Sequence, residues 1–316
     1  MSIYRSVSSS SLRPVTHIAE DLYIPGNILF SSDNSLKTTD GTTDVIIAGS
    51  ATAGYTNGIG VKATFNSIRK FLQINSTDII IADDLNFCLR YFVRTSAKVS
   101  QFVAQCGKRG RASGEVKLAK FYRLQDIVLG KGRSVNKLFI LDPPAVYYMD
   151  VNGYRIDVLV NLYGLEPVPY LTGLVLGPDT DGGSLLLLAR LEIRNVSIAN
   201  LNKITLPTQS TISFKARTNK SIDGNFSDAA YRYSDRIVSI AKGVYVIGYT
   251  TSYDDGRIRI IDFVTKFISS ICTVSTALFQ PGKITQCVMP DSYGLGVVKN
   301  ALYIGGLNVI YQLPSK

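Results

Sequence analysis

The sequence predicts an all-β fold, a six-bladed β-propeller, from three observations. Helical periodicity is scarce, whereas short runs of β-branched and aromatic residues recur between Gly, Asn, Asp and Pro, which is the pattern of strands and turns. Six of these runs are strongly apolar, and their starts are 47 to 59 residues apart: Ile28, Ile79, Leu138, Leu185, Val244 and Leu302. A period of about 50 residues is typical of a propeller in which each repeat is a four-stranded blade.

The strands of each blade follow from these runs. We expect each apolar run to be the second strand of its blade, because a strand buried on both faces is apolar throughout. First strands are predicted at 70–74, 124–128, 172–176, 236–240 and 284–288. Third strands are predicted at 88–93, 146–150, 193–197, 257–262 and 308–313. Fourth strands are predicted at 99–103, 155–160, 203–206 and 267–271.

The two ends of the chain are predicted to share one blade. The opening blade begins near His17 and ends with the run at Asp44, and the last blade contains only three strands. The segment Ile3–Val7 therefore has no place in the opening blade, and it has the length of the missing outer strand of the last one. Pairing of the terminal strands would remove an open sheet edge and close the ring. We thus expect residues 1–316 to form a single propeller domain.

Composition excludes several classes of protein. With 46% hydrophobic and 18% charged residues the chain is not intrinsically disordered, and it has no apolar run long enough for a membrane-spanning helix. The N-terminal residues lack the apolar centre of a signal peptide, so the sequence does not assign a compartment, and a trimmed chain would be compatible with an extracellular or cell-surface origin. His17 is the only histidine, which excludes a three-histidine zinc site. No cofactor is predicted.

One segment resembles a known family. Residues 48–66, AGSATAGYTNGIGVKATFN, resemble the loop between blades of NHL-repeat proteins, and residues 79–84 and 86–90 resemble the two strands that follow it there. Weaker similarity lies at 106–121 and 223–231. The resemblance implies a six-bladed propeller that serves as a binding platform. Enzymes of this kind use a histidine-rich metal site or a calcium ion held by Glu, Asn and Asp; no catalytic residue can be assigned here.

Other motifs have ordinary structural explanations. The segment Gly58–Ala63 matches a dinucleotide-binding pattern, but no helix follows it, so we interpret it as a propeller loop. The acidic pairs at 83–84 and 254–255 and the segment Asp179–Ser184 suit either tight turns or a metal contact. His17 is interpreted as a structural or surface imidazole.

Two of the four cysteines are candidates for a disulfide. Cys88 opens a third strand and Cys106 ends the fourth, and both are equally distant from residue 97 at the centre of the predicted hairpin. The two residues are therefore expected to lie opposite each other, either as a disulfide or as free buried thiols. Cys272 and Cys287 fall on different strands and are not expected to meet.

The basic residues give the clearest functional signal. The chain has a formal net charge of +10, and loops that join consecutive blades are expected to emerge on one face. Two such loops, 107–123 and 207–235, are rich in cations interleaved with tyrosines, a composition suited to anionic groups and stacked bases. The residues concerned are Lys108, Arg109, Arg111, Lys117, Lys120, Tyr122, Arg123, Lys215, Arg217, Lys220, Tyr231 and Arg232.

These observations predict a non-enzymatic interaction module that binds a protein partner through the loop face. One alternative is binding of RNA or another polyanion, such as an acidic glycan, on the same basic face. A second alternative is a degenerate calcium-dependent propeller hydrolase. A solvated basic rim without a binding role is also consistent with this charge.

Overall fold

The computed structural model describes most of the chain. The described residues are 2–6, 14–32, 34–162, 171–179, 181–189, 192–198, 201, 209–213, 222–229, 236–248, 257–274, 287–289, 294–306 and 309–313. For residues 2–6, 209–213, 257, 272–274 and 287–289, only the backbone is described.

The fold is all-β, and six small antiparallel sheets form the blades of a six-bladed propeller, as predicted. The chain divides into two compact units. One unit contains Arg13–Lys131 and Val135–Gly164, and the other contains Met1–Leu12, Gly132–Ser134 and Leu165–Lys316.

The unit formed by Arg13–Lys131 and Val135–Gly164 contains the first three blades. Blade 1 contains β2 (Val15–Glu20), β3 (Ile28–Ser32), β4 (Ser35–Thr39) and β5 (Asp44–Gly49). Blade 2 contains β6 (Gly58–Ile59), β7 (Ile68–Gln73), β8 (Asp78–Asp83), β9 (Cys88–Val93) and β10 (Lys98–Val103). Blade 3 contains β11 (Gly114–Glu115), β12 (Asp126–Leu129), β13 (Lys137–Asp142), β14 (Ala145–Asp150) and β15 (Arg155–Asn161). Short 3-10 helices span Gly60–Lys62 and Asp84–Asn86.

The other unit contains the remaining blades and the 3-10 helix Gly132–Ser134. Blade 4 contains β16 (Leu171–Leu176), β17 (Ser184–Ala189), β18 (Glu192–Ser197) and β19 (Gln209–Ser213). Blade 5 contains β20 (Gly224–Asn225), β21 (Arg236–Ala241), β22 (Val244–Gly248), β23 (Arg257–Asp262), β24 (Phe267–Val274) and β25 (Cys287–Met289). Blade 6 contains β26 (Gly294–Val298), β27 (Ala301–Gly305), β28 (Val309–Leu313) and β1 (Ser2–Ser6).

The predicted pairing of the two ends is confirmed. Strand β1 runs antiparallel to β28, with Ser2 opposite Gln312 and Ser6 opposite Val309. The N-terminal segment therefore supplies the outer strand of the blade that the C-terminal residues build. This pairing covers the edge of β28, which would otherwise present unpaired backbone groups.

The six apolar runs form the second strands, and burial explains why they are apolar. In blade 2, Ile79, Ile80 and Ile81 are all fully buried, so successive side chains on both faces of β8 meet other side chains. Ile79 and Ile81 pack with Phe71 and Phe92, whereas Ile80 packs on the other side with the core that blade 3 shares. The strand is thus covered on both sides.

Three expectations for the later blades are wrong or lie outside the described residues. The first strand of blade 6 is β26. In the predicted segment 284–288, the described residues 287 and 288 belong to β25, which pairs in parallel with β24 of blade 5. This parallel register places Cys272 opposite Cys287, against the expectation that they do not meet. The fourth strand of blade 4 is β19, and the predicted segment 203–206 lies outside the described residues.

Candidate functional site

The loop between blades 2 and 3 is an ordered structure with its own anchors. Residues 110–121 form a small hairpin, in which the backbone N–H and C=O of Ala112 and Lys120 pair with each other at 3.0 Å. Phe121 and Ala119 are fully buried at its base, as are Phe65 and Ala63 at the same point of the preceding loop. The two loops have the same buried residues, one alanine and one phenylalanine, whereas their exposed residues differ. The 107–123 loop therefore has a fixed base and a distinct exposed surface.

A cluster of arginine and aromatic side chains forms the exposed part of this loop. The guanidinium carbons of Arg109 and Arg111 lie over the Tyr122 ring, at 3.6 and 4.2 Å from its centroid. Arg109 also lies over Phe87, at 5.6 Å. We call Phe87, Arg109, Arg111 and Tyr122 the arginine–tyrosine cluster. Cation–π contacts of this kind hold the guanidinium groups in place at the surface.

Hydrogen bonds fix both guanidinium groups further. The Nε of Arg109 donates to the carbonyl oxygen of Tyr122 at 3.4 Å, and the Nη2 of Arg111 donates to that of Pro143 at 2.9 Å. An arginine side chain has five N–H donors in a planar array, and two of them can bind one carboxylate at the same time. Both arginines are exposed, and the Tyr122 side chain retains 39% of its accessible surface.

The surface around the cluster is basic. The other cations predicted for this loop are exposed, and Glu115 is the only acidic residue between 107 and 123. Within the described part of the chain, Lys108, Lys117 and Lys120 form no ion pair. Their charge is therefore available to an anionic partner, and Lys108 directly precedes Arg109.

A disulfide lies at the base of the cluster. Cys88 and Cys106 are linked, with their Cα atoms 5.0 Å apart. The predicted hairpin places the two cysteines directly opposite each other in the ladder. Strand β10 instead ends at Val103, so Cys106 lies beyond the strand. Cys88 follows Phe87, and Cys106 precedes the segment that carries Arg109. The bond consequently ties together the two segments that supply the cluster.

Gly107 allows the chain to turn between the disulfide and the cluster. Its φ angle is +78°, a region that L side chains rarely adopt, and a Cβ there would lie 3.4 Å from the Tyr55 ring. Its N–H donates to the carbonyl oxygen of Asn86 at 2.8 Å. Tyr55 is 58% exposed and extends the aromatic surface on this side.

A buried carboxylate lies beneath the loop. Asp142, at the end of β13, is fully buried, and its two oxygens accept the backbone N–H groups of Tyr122 at 2.9 Å and Arg123 at 2.6 Å. Burial raises the pKa of Asp142 to about 6, and Asp84 adds to this increase. The two N–H groups and the charge of Arg111 act in the opposite direction.

In blade 2 the corresponding carboxylate has a buried cation. Asp83 ends β8 and pairs with Arg90 at 3.1 Å, and both side chains are fully buried. Asp83 also accepts the N–H of Asn66, and Arg90 donates to the carbonyl oxygens of Thr56 and Thr64. This network fixes the 50–67 loop. The acidic pair at 83–84 thus contains a structural carboxylate engaged by an arginine.

The remaining motifs have structural roles or show no metal-binding geometry. In the turn at 179–184, Asp181 pairs with Arg133 at 2.9 Å and accepts the N–H of Gly183. An open pocket of about 460 Å³ lies against this turn, with Lys242 and Asp179 in its wall. Among the described residues, no group of three or more His, Cys, Asp or Glu side chains could hold a metal ion. The segment Gly58–Ala63 forms β6 and a single 3-10 turn, consistent with a propeller loop.

Five of the predicted basic and aromatic residues lie outside the described part of the chain. They are Lys215, Arg217, Lys220, Tyr231 and Arg232, together with the acidic pair at 254–255. Within 207–235, the structure describes β19 and residues 222–229. Asp223 there pairs with the buried side chain of Arg259 at 2.9 Å.

Sequence reasoning missed three residues of the site. Phe87, Asp142 and Pro143 lie far from 107–123 in the chain and meet the loop only through the blade geometry. The repeat offered a signal for one of them: Asp83 and Asp142 each end the apolar second strand of their blade. His17 lies in β2 and packs edge-on against Phe71, consistent with a structural imidazole.

Comparison with known proteins supports the fold. No family model matches the sequence, and no curated protein does. Among solved structures, an auxiliary nutrient binding protein from Bacteroides thetaiotaomicron has a TM-score of 0.62 at 12% identity, over 94% of this chain and 69% of that chain. An extracellular domain of a one-component system from the same bacterium gives 0.58 at 8% identity, over 98% of this chain and 39% of that chain.

A nidogen/laminin complex contains a chain with a TM-score of 0.54 at 11% identity, over 89% of this chain and 84% of that chain. At such low identities these similarities establish the propeller fold alone. The described part of the chain contains no helix that is long and apolar enough to span a membrane.

Proposed function

We propose that this propeller is a non-enzymatic interaction module that binds an acidic segment of a protein partner through the 107–123 loop. The observation that carries the proposal is the arginine–tyrosine cluster, in which two exposed guanidinium groups are held over one exposed ring. A guanidinium group can bind a carboxylate through two parallel hydrogen bonds. Side chains that are already fixed lose less conformational entropy on binding.

The composition of the cluster favours a protein partner. Tyrosine and arginine are the residues that most often dominate the energetics of protein–protein interfaces. The exposed Tyr122 ring lies against the two arginines and the exposed Tyr55 ring lies near Gly107, so the surface offers apolar area as well as charge. A partner that combines acidic and apolar side chains would use both features.

The disulfide supports an oxidising compartment. Disulfides persist in secreted and cell-surface proteins and are rare in the cytosol of most organisms. The Cys88–Cys106 bond thus favours an extracellular protein partner, or an acidic glycan, over RNA. We further propose that the chain is a divergent NHL-type propeller and that residues 1–316 fold as a single domain, as the loop motif at 48–66 suggests.

A direct comparison of anionic probes tests this function. A fluorescently labelled decaglutamate peptide, a decauridine RNA and a heparin oligosaccharide would each be titrated with the protein at about 0.05 M and about 0.15 M salt. We expect the glutamate peptide to bind, with an affinity that decreases as the salt concentration increases. The same protein should bind the RNA more weakly than the peptide.

Two outcomes would contradict the proposal. Tighter binding of RNA or heparin than of the peptide would indicate a polyanion-binding surface. The absence of binding to all three probes would indicate that the basic loop is a solvated rim. A decalysine peptide serves as the matched control and should not bind.

A further inference from the structure

The outer strands of three blades have their edges covered by a short strand of the same chain. In blade 2, β6 runs antiparallel to β10, and β11 and β20 pair in the same way with β15 and β24. Each short strand has two residues, lies in the connection that precedes its blade, and pairs with the first two residues of the outer strand. Backbone groups that would otherwise lie at an open sheet edge are thereby paired.

Blade 1 has no such short strand among the described residues. Its sheet ends at β5, and β4 is the only described strand that pairs with β5. The connections before blades 2, 3 and 5 have 18 to 22 residues, whereas the connection before blade 1, residues 7–14, has eight. In an antiparallel pair, alternate residues direct their N–H and C=O groups away from the partner strand. One of the consecutive residues Val45 and Ile46 therefore presents both backbone groups on the side away from β4.

The surface around this edge is apolar. The side chains of Val45 and Ile46 are 52% and 44% exposed, and they point to opposite faces of the sheet because successive strand residues alternate. The 3-10 turn Gly60–Lys62 packs against β5. Ile59 directly precedes this turn and Val61 lies within it, and they are 62% and 59% exposed. The strand and the adjoining turn thus expose four aliphatic side chains, which is typical of an interaction surface.

One feature limits how much of β5 can accept another strand. Residues 45–49 include no charged residue and no proline, the residues that usually protect a sheet edge. Ile47, however, lies in a bulge between the pairs that Ile46 and Ala48 form with β4. Regular pairing is therefore available only in the first half of β5. This is the same part of the outer strand that the short strands cover in blades 2, 3 and 5.

A short polypeptide segment fits this edge better than other partners. An extended backbone supplies donors and acceptors at the spacing of a strand, and its alternate side chains can contact the apolar surface. Lys62 is exposed and forms no ion pair within the described part of the chain, so an acidic residue beside the apolar ones would meet a cation. Four side chains offer much less than the ~800 Å² that each partner contributes to a stable interface, which favours a short segment over a second copy of this chain.

We propose that the edge of β5 is a docking site for a short extended segment of a partner protein, which adds to blade 1 as a fifth strand. The segment runs antiparallel to β5 at Val45 and Ile46, as β6, β11 and β20 do at their outer strands. It combines β-branched apolar residues with a neighbouring acidic residue. This inference does not depend on the proposed function of the 107–123 loop, since it concerns a different surface.

Peptide binding with a backbone-blocked control tests the docking site. The probe is a fluorescein-labelled hexapeptide of sequence TVIVEE, and the control is the same peptide with N-methyl groups on its two central amides. N-methylation retains the side chains and removes one donor from each edge of the extended peptide. We expect saturable binding of the probe in fluorescence anisotropy. The control should bind at least about tenfold more weakly, because strand addition requires these donors.

A double variant and hydrogen exchange locate the site. The variant Val45→Ser, Ile46→Ser should bind TVIVEE at least about tenfold more weakly, since it lacks both exposed aliphatic side chains of the edge. Val264→Ser is the matched control, at an exposed valine of blade 5, and should bind like the unmodified protein. In the unmodified protein, the probe should slow hydrogen exchange at the outward-facing amide of Val45 or Ile46. Exchange at Lys98 and Val99, which β6 covers, should not change.

Several results would overturn the proposal. Absence of TVIVEE binding, or equal binding of the two peptides, would exclude strand addition, and undiminished binding by the folded double variant would place the peptide elsewhere. A protein that sediments as a dimer, with a monomeric double variant, would show that a second copy occupies the edge. Exchange at Val45 and Ile46 in the unbound protein that is as slow as at Lys98 and Val99 would show that the chain covers its own edge. The hydrogen-exchange results do not depend on whether the variant folds.

Discussion

The guanidinium carbon of Arg109 lies 3.6 Å from the centroid of the Tyr122 ring, and the Nε of the same side chain faces the Tyr122 carbonyl oxygen at 3.4 Å. Two contacts between the same pair of residues leave the arginine little freedom to rotate. These contacts therefore set the direction in which its other N–H donors point.

Removal of the ring should loosen both arginines. We predict that Tyr122→Ala weakens binding of the decaglutamate peptide about fivefold, since each exposed cation–π contact contributes about 0.5 to 1 kcal/mol. Tyr122→Phe should bind like the unmodified protein because it retains the ring. Tyr154→Ala is the matched control, since that tyrosine is 87% exposed. Fluorescence anisotropy measures all four proteins, and equal affinities would contradict a role for the ring.

Reversal of the loop charges should abolish most of the binding. We predict that the variant Lys108→Glu, Arg109→Glu, Arg111→Glu binds the acidic peptide at least tenfold more weakly, a loss of about 1.4 kcal/mol. The fold should be retained, because exposed charges seldom contribute more than about 0.5 kcal/mol each.

A control with the same change in net charge tests whether position matters. The exposed lysines at 98, 242 and 266 would be replaced by glutamate, and this variant should lose less than about twofold in affinity at physiological salt, where exposed charges are screened over about 8 Å. Equal losses in the two variants would show that net charge alone governs binding.

The disulfide should be present in the natively produced protein and should matter for binding. We predict that mass spectrometry without reductant finds Cys88 linked to Cys106. Replacement of both residues by alanine should lower the free energy of unfolding by at most about 3 kcal/mol, because the closed loop is short. The same variant should also bind the peptide more weakly, since Phe87 and Arg109 would no longer be tied together. Four alkylatable thiols in the native protein would exclude the bond.

The terminal strand should contribute to stability. Deletion of residues 1–8 removes β1 and exposes the edge of β28, with the loss of several hydrogen bonds of about 1 kcal/mol each. We predict a melting temperature lower by several degrees in differential scanning calorimetry. Deletion of Met1 alone, which lies before β1, should leave the melting temperature unchanged. An unchanged value for the longer deletion would show that the pairing contributes nothing.

The raised pKa of Asp142 should make the free energy of unfolding depend on pH. Since it is raised from 3.8 to about 6 in the folded protein, the folded state binds a proton more tightly than the unfolded chain between these values. This stabilising contribution is complete below pH 4 and is lost as the pH rises through 6. It amounts to up to about 3 kcal/mol.

Urea unfolding measures this effect. The stability of Asp142→Asn relative to the unmodified protein should improve between pH 4 and pH 7. The control variant Asp157→Asn, at a side chain 43% exposed, should show no such change. A constant difference between Asp142→Asn and the unmodified protein would indicate that Asp142 titrates in its usual range.

The sequence predicts the fold well where one residue pattern has one structural explanation. The run at Ile79–Ile81 is apolar at consecutive positions, and only a strand covered on both faces buries all three residues. The spacing places 284–288 just before the last apolar run, but its described residues, 287 and 288, pair with β24 of blade 5, because register there depends on partners distant in the chain. Periodicity therefore locates strands more reliably than it assigns them to blades.

The candidate site was predictable only in part. The cations of 107–123 are conspicuous in the sequence, because the basic composition of a loop can be recognised without knowing its contacts. The contacts that hold these cations in place join residues that are distant in the chain. Phe87 and Asp142 belong to two different blades, and they meet Arg109 and Tyr122 because neighbouring sheets place their connecting turns side by side. No local sequence pattern indicates these contacts.

The antiparallel pairing of β1 and β28 has a mechanical consequence. Ser2 faces Gln312, so the two ends of the chain leave this strand pair at the same end. Tension that pulls the ends apart would load the hydrogen bonds one after another, as in the opening of a zipper, and not all together in shear. Blade 6 would thus yield at low force. If such a protein were tethered at both ends, this strand pair would be the first element to open under load.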